Sequence, residues 1–315
     1  MYILGLDIGG TKCAAISGEW DGKNIRIIKK AVCKTRHGIP AEEVVEELFS
    51  LADGILDRRP DSIGISCGGP LDSAKGIVMC PPNLPEWDNV EIVRLAEEHF
   101  GAPTHLQNDA NACAVAEWKF GAGRGFSNVV FLTFGTGLGA GLILNGRLYE
   151  GTNGNAGEVG HVRLDDDGPV GYGKSGSFEG FCSGGGIAQL GCKMAIDAKK
   201  RGDSTSYFKD GMTARDVSAK SIADAAHSGD QTAIEVYRLS GKRLGRGLSV
   251  IVDILNPERI IIGGIFTRSA DLLWSAAKEE LEKEALANSL SCCEIVPAKL
   301  GESIGDYASL ATALL

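Results

Sequence analysis

The stretch Leu4-Gly5-Leu6-Asp7-Ile8-Gly9-Gly10-Thr11-Lys12 decides how this chain is read. An apolar, β-rich run from Ile3 to Ile8 breaks at Gly9-Gly10-Thr11-Lys12, and a second run resumes from Cys13 to Ile16. That spacing predicts strand, glycine turn, strand. It is not a Walker phosphate loop, which needs glycine, four residues and then Gly-Lys-Ser/Thr. Nor is it a dinucleotide fingerprint, because a strand and not a helix follows. Glycines in such a turn expose backbone N–H groups and put no Cβ in the way of an anion. Thr11 and Lys12 add donors. Asp7, at the strand end, is a hard oxygen ligand suited to Mg²⁺ held through water. Taken alone, the segment also fits a plain hairpin turn.

The theme returns later in the chain. Val129 to Phe134 reads as a strand, Gly135-Thr136-Gly137-Leu138-Gly139 as a turn, and Ala140 to Leu144 as a strand closed by a hairpin at Asn145-Gly146. Two such turns can grip one polyphosphate from both sides. A third apolar strand, Arg259 to Ile262, runs into Gly263-Gly264, where an adenosine could lie flat against the backbone; a simple turn is the other reading. The repetition suggests a duplicated α/β architecture with a cleft between two lobes.

Between these units, helical periodicity marks Pro40 to Asp57, Val90 to Phe100, Ala110 to Phe120, Gly185 to Lys200, Thr213 to Ser228 and Gln231 to Asn256. Ser62 to Ser66 reads as a buried strand ending in Cys67-Gly68-Gly69-Pro70, and Thr104 to Gln107 as a short strand. Gly305 to Leu315 reads as a short helix of small residues. Residues 150–186 are glycine-rich and irregular, a length of loop that in a compact protein is functional or disordered.

Composition narrows the function class. With 315 residues the chain has room for two lobes. A net charge of −9 argues against nucleic acid as a main partner, since phosphate backbones call for a basic face. No apolar run reaches membrane-spanning length, and the N-terminus lacks a basic segment and cleavage site, so a cytoplasmic protein is expected. The nine cysteines fall outside metal-ligand spacing and predict reduced thiols.

The segments LGLDIGGTK, CGGP, PPNLPEW, QNDANACAVAEW, FGTGLGAGLILNG, NAGEVGH, GSFEGFCSG, LGRGL and LNPERIIIGG, in this order from Leu4 to Gly264, resemble the ROK family of bacterial sugar kinases and repressors, within the actin-like ATPase superfamily. The resemblance implies two ribonuclease-H-like lobes closing over ATP and a hexose. The expected division is an N-terminal lobe of residues 1–118, on which a C-terminal helix at 301–315 packs back, and a second lobe of 119–300. By the same resemblance Asp109 is the general base, a role the chemistry demands because a sugar hydroxyl is a poor nucleophile until its proton has an acceptor. Capping of the following helix is the competing role for an aspartate there. Gly69, Asn83, Asn108, Asp109, Glu158, His161 and Glu179 match residues that line the sugar site. Asp7, Gly9, Gly10, Thr11, Lys12, Gly135, Thr136, Gly137, Gly263 and Gly264 match the ATP and phosphate segments.

The pattern departs from the family at one place. Members carry a loop after Gly160-His161 whose three cysteines, with the histidine, hold structural zinc. Here Val170, Tyr172 and Ser177 stand at those positions, and His161 alone cannot supply about four ligands. No zinc is expected. The reading is an ATP- and Mg²⁺-dependent hexose kinase, glucokinase-like, and the resemblance implies a homodimer. Alternatives are a non-catalytic sugar-sensing regulator or a kinase for an N-acetylated amino sugar such as N-acetylmannosamine. The regulators carry a helix-turn-helix before the first glycine turn, and with that turn starting at Leu4 none is expected here.

Overall fold

The computed structural model describes all 315 residues, Met1–Leu315. Along the chain run β1 (Tyr2–Ile8), β2 (Lys12–Trp20), β3 (Ile25–Lys34), α1 (Ala41–Asp53), β4 (Ser62–Cys67), a small hairpin of β5 (Leu71–Asp72) and β6 (Ile77–Val78), α2 (Ile92–Phe100), β7 (Thr104–Asn108) and α3 (Asp109–Phe120). There follow β8 (Val129–Phe134), β9 (Leu138–Leu144), β10 (Arg147–Tyr149), a hairpin of β11 (Val170–Gly171) and β12 (Lys174–Ser175), α4 (Phe178–Phe181), α5 (Gly184–Lys200), α6 (Ala219–His227) and α7 (Gln231–Leu255). Last come β13 (Arg259–Ile262), α8 (Ile265–Glu284), α9 (Ala287–Leu290), β14 (Glu294–Pro297) and α10 (Ile304–Thr312). Two five-stranded sheets, ordered β3-β2-β1-β4-β7 and β10-β9-β8-β13-β14, make this the α/β actin-like ATPase fold. No helix is long and apolar enough to cross a membrane.

The chain forms two compact units. One comprises Met1–Phe126, Gly141–Ala156 and Lys299–Leu315; the other comprises Ser127–Ala140 and Gly157–Ala298. In the first, β1 alternates with period two. Leu4, Leu6 and Ile8 join the core beneath α1 and α2, while Ile3 faces a smaller core with Leu310 of α10. Gly5 and Gly64 sit side by side in register. A Cβ on Gly5 would lie 2.4 Å from Ser309 Oγ, and one on Gly64 would lie 2.0 Å from the Ser309 carbonyl. Two glycines thus make a groove into which α10 sinks directly onto the sheet. Wholly buried Glu117 accepts the Ala122 N–H at 2.7 Å and the Leu300 N–H at 2.8 Å, tying the turn after α3 to the segment that leads into α10. Residues 141–156 join this unit because β9 meets α3 there: a Cβ on Gly141 would lie 2.5 Å from the Ala110 carbonyl.

In the second unit β8 and β13 are parallel and buried, and α7 packs along α8. Gly241 and Gly245, one helical turn apart, admit the α8 backbone; their Cβ atoms would lie 2.4 Å and 2.2 Å from the carbonyls of Leu273 and Ala277. The sequence periodicity places a helix from Thr213, but α6 begins only at Ala219, because Ser218 accepts the Ser221 N–H and Ser221 returns a bond to the Ser218 N–H. Helix α8, absent from the periodicity reading, follows Gly263-Gly264 directly, and its Phe266 is buried against Trp274.

Candidate active site

Three parallel strands of the first unit end together. Ile8 pairs with Cys67, and Cys67 with Asn108, so the segments after β1, β4 and β7 emerge side by side. Ligands of open α/β sheets bind outside such carboxyl ends. Here lie Asp7, Gly9, Gly10, Gly69, Asn108 and Asp109. The 9–12 turn is closed by the Gly9 N–H donating to the Lys12 carbonyl at 3.1 Å. Asn83 packs against it: a Cβ on Gly10 would lie 2.5 Å from Asn83 Cβ and 2.7 Å from its carbonyl. The side chains of Asn83, Thr11 and Lys12 are exposed.

The competing role for Asp109 falls to its neighbour. Asn108 is the residue that caps α3, its Oδ1 accepting the Asn111 N–H at 2.8 Å. Its Nδ2 is left to donate elsewhere. Asp109 starts the helix, takes only the adjacent Ala110 N–H at 2.8 Å on Oδ1, and keeps Oδ2 unengaged. Its side chain is open to solvent. Even so, the protein gathered around it costs the charged form hydration and pushes the carboxyl up, against the Ala110 bond that lowers it. Solvent contact tells whether a ligand can reach the group; the surrounding low-polarity matter sets the direction of its titration.

Asp7 is pushed up to about 6, first by burial and then by the nearby carboxylates of Asp306 and Asp109, with Lys12 and Lys30 pulling the other way. Its Oδ2 lies 3.0 Å from where a Cβ on Gly305 would stand, at the start of α10. Asp306 itself is paired to Lys30 at 2.5 Å. A carboxylate made costly to charge by burial and by neighbouring carboxylates gains from a cation brought with a polyphosphate.

The second unit assembles its own set. Gly135 follows β8 and Gly263-Gly264 follow β13, whose Ile262 is paired with Leu132. Gly264 has φ +64°, and a Cβ there would lie 2.1 Å from the Phe134 carbonyl, so the two glycine segments touch. The Gly184 N–H, first in α5, donates to the Gly135 carbonyl at 2.8 Å. Gly135, Thr136, Gly137, Gly263 and Gly264 are thereby brought to one place, joined by a partner that the sequence reading left out. The signal for it was Ser183-Gly184-Gly185-Gly186 directly ahead of a helical run; Ser183 caps α5 by accepting the Gly186 N–H at 3.0 Å. Thr133, also left out, bonds through its hydroxyl to both the N–H and the carbonyl of Gly139.

Glu158 and His161 flank a single 3-10 turn, Val159–His161, and both are exposed. Glu179, in α4, reaches the glycine turn with Oε2, which accepts the Leu138 N–H at 3.0 Å. The segment from Val162 to Ser177 is held by polar pairs. Gln189 accepts the Val170 N–H at 3.0 Å and donates to its carbonyl at 2.9 Å. Arg243 pairs with Asp165, and Lys174 donates to the His161 carbonyl at 2.7 Å. Tyr172, at the hairpin tip, is exposed and places its ring edge-on to His161 at 6.4 Å.

The ROK family model matches residues 3–313. The glucokinase of Thermotoga maritima is 31% identical over 97% of this chain and 95% of its own length. The xylose repressor of Caldicellulosiruptor bescii is 27% identical over 95% of this chain and 74% of its own. Among solved structures, a ROK family glucokinase from Streptomyces griseus in complex with glucose and AMPPNP superimposes with a TM-score of 0.79 at 28% identity, covering 100% of this chain and 99% of that one.

Proposed function

The chain belongs to the ROK family, and from that premise we propose that it is an ATP-dependent hexose kinase with Asp109 as general base. The observation that carries this reading is the division of labour at the head of α3. Asn108 takes the cap, and Asp109 is left with a free, solvent-reachable carboxylate oxygen at a strand end. Glucokinases among the relatives, and a glucokinase structure holding glucose and AMPPNP, support the substrate class and the donor.

In this reading the sugar is oriented by Asn83, the free Nδ2 of Asn108, Glu158, His161 and Glu179. Carboxylates accept from hydroxyls and amides do both, so each mismatched sugar leaves a polar group unpaired. Asp109 Oδ2 accepts the proton of the reacting hydroxyl as its oxygen attacks the γ-phosphorus and the bond to the leaving ADP oxygen breaks. The N–H groups of the two glycine turns receive phosphate oxygens. Magnesium bound with the nucleotide would neutralise phosphate charge, and Asp7 is the residue suited to hold it through water. With Val170, Tyr172 and Ser177 in place of cysteines, zinc has no part, and Gln189, Arg243 and Lys174 hold the loop.

The xylose repressor relative keeps a sugar sensor in play as the rival. The test is ADP release with Mg-ATP across a panel of hexoses and N-acetylated amino sugars, N-acetylmannosamine included. Turnover of a hexose above background ATPase is expected. A folded protein that binds a sugar and releases no ADP with any of them would overturn the kinase reading in favour of the sensor.

A further inference from the structure

Glu179 stands where two candidate binding functions meet. Its Oε2 accepts the Leu138 N–H at 3.0 Å, and a Cβ built on Gly137 would lie 2.8 Å from the same oxygen. Nothing else in the protein donates to this carboxylate, so Oε1 is spare. The stem is not free to wander. Ser177 fixes the start of α4 by accepting the Gly180 N–H at 3.0 Å. Gly160 and Gly171 close around it, since Cβ atoms there would lie 3.3 Å and 2.8 Å from Glu179 Cβ. A residue whose stem is held by backbone on two sides, with one oxygen committed to the phosphate turn and one uncommitted, is built to connect two ligands.

We propose that Glu179 is a positioning residue that couples acceptor binding to donor binding. Oε2 fixes the Leu138 end of the glycine turn, Oε1 takes a sugar hydroxyl, and filling one side orders the carboxylate for the other. The proposal rests on the kinase reading above. Its physical basis is entropic: a hydroxyl donated to Oε1 removes the carboxylate's rotational freedom, so the turn is already ordered when phosphate arrives. Coupling of this kind is reciprocal, so nucleotide tightens sugar by the same factor that sugar tightens nucleotide.

Gly137→Ala isolates the bond. Gly137 does not lie in the left-handed region, so alanine brings no backbone strain. Its methyl meets only the far end of a flexible side chain, which can swing aside. Folding should be kept while the Leu138 bond is lost. Titration calorimetry would measure a non-hydrolysable ATP analogue with and without the best sugar of the panel. In wild type the sugar should tighten the analogue roughly 5-fold or more, within the usual 5- to 150-fold span of such coupling. In Gly137→Ala the factor should fall towards one with an unchanged melting temperature, and sugar alone should bind more weakly although the substitution lies in the phosphate turn. Glu179→Gln keeps an oxygen for the Leu138 N–H, so the analogue alone should bind as tightly as to wild type while the sugar weakens. A wild type that phosphorylates sugar with no coupling, or a Gly137→Ala protein with full coupling, would overturn the proposal and leave the kinase reading intact. Absence of any turnover would remove both.

Discussion

The two glycine turns differ in what braces them. At 9–12 the Gly9 N–H bonds the Lys12 carbonyl, and the Thr35 hydroxyl donates to the Gly9 carbonyl. His37 Nε2 lies 2.8 Å from the Gly10 carbonyl, and a methyl at Gly10 would strike the Cβ and carbonyl of Asn83. At 135–139 the Gly135 N–H bonds the Gly137 carbonyl, and the Gly184 N–H bonds the Gly135 carbonyl. Thr133 holds Gly139 and Glu179 holds Leu138, and a methyl at Gly137 would meet only the end of the Glu179 side chain. The acids differ likewise. Asp109 takes the Ala110 N–H of its own helix, whereas Glu179 takes the Leu138 N–H of the second turn. Similar glycine patterns thus serve unlike ends. The first turn leaves no room for a side chain at Gly10, and the second has give at Gly137.

The comparison is broken most readily at Asp109. Asp109→Asn should fold and bind sugar, since Asn108 does the capping. An amide cannot accept the hydroxyl proton, so kcat should fall about 10²–10⁴-fold with little change in KM, measured by steady-state kinetics beside a sugar titration. Turnover near that of wild type would mean that the carboxylate at the head of α3 is not the base.

Next in size is Gly10→Ala. Its methyl would strike backbone and Cβ, which cannot swing aside, so overpacking should destabilise by about 1–3 kcal/mol, read from thermal or denaturant melts. Gly137→Ala should melt as wild type does. Equal losses for the two would erase the contrast in bracing.

A smaller effect concerns pH. A base must be unprotonated, so activity is present above its pKa and lost below it. Because Asp109 is raised from the ordinary 3.8, the acid limb of kcat should fall at a higher pH than a free aspartate would give, and Asp109→Asn should lose that limb. An acid limb at the ordinary value would show that burial does not govern this carboxylate. Smallest of all is chelation: prolonged treatment with a zinc chelator, before Mg²⁺ is restored, should leave both activity and melting temperature unchanged. Loss of one zinc per chain together with folding would show the 162–177 loop to be metal-held after all.

Most elements and the two glycine turns could be read from the sequence, because strand alternation, helical periodicity and glycine placement are local rules. The candidate site residues came from the resemblance of the quoted motifs to the family and stand as a proposal. What only the tertiary structure decided are bonds between residues distant along the chain. Asn108 rather than Asp109 caps α3, because the exact φ/ψ at the end of β7 selects the cap, and both residue types are good caps. Gly184 joins Gly135, Gln189 forks onto Val170, and Glu117 reaches Leu300, none of which has a spacing signature. Glu179 came from the sequence as a surface for sugar, and packing turned one of its oxygens to the Leu138 N–H. A residue's chemistry is written in its side chain, but which partner uses it depends on where the rest of the chain brings its donors, and that is settled only when the core closes.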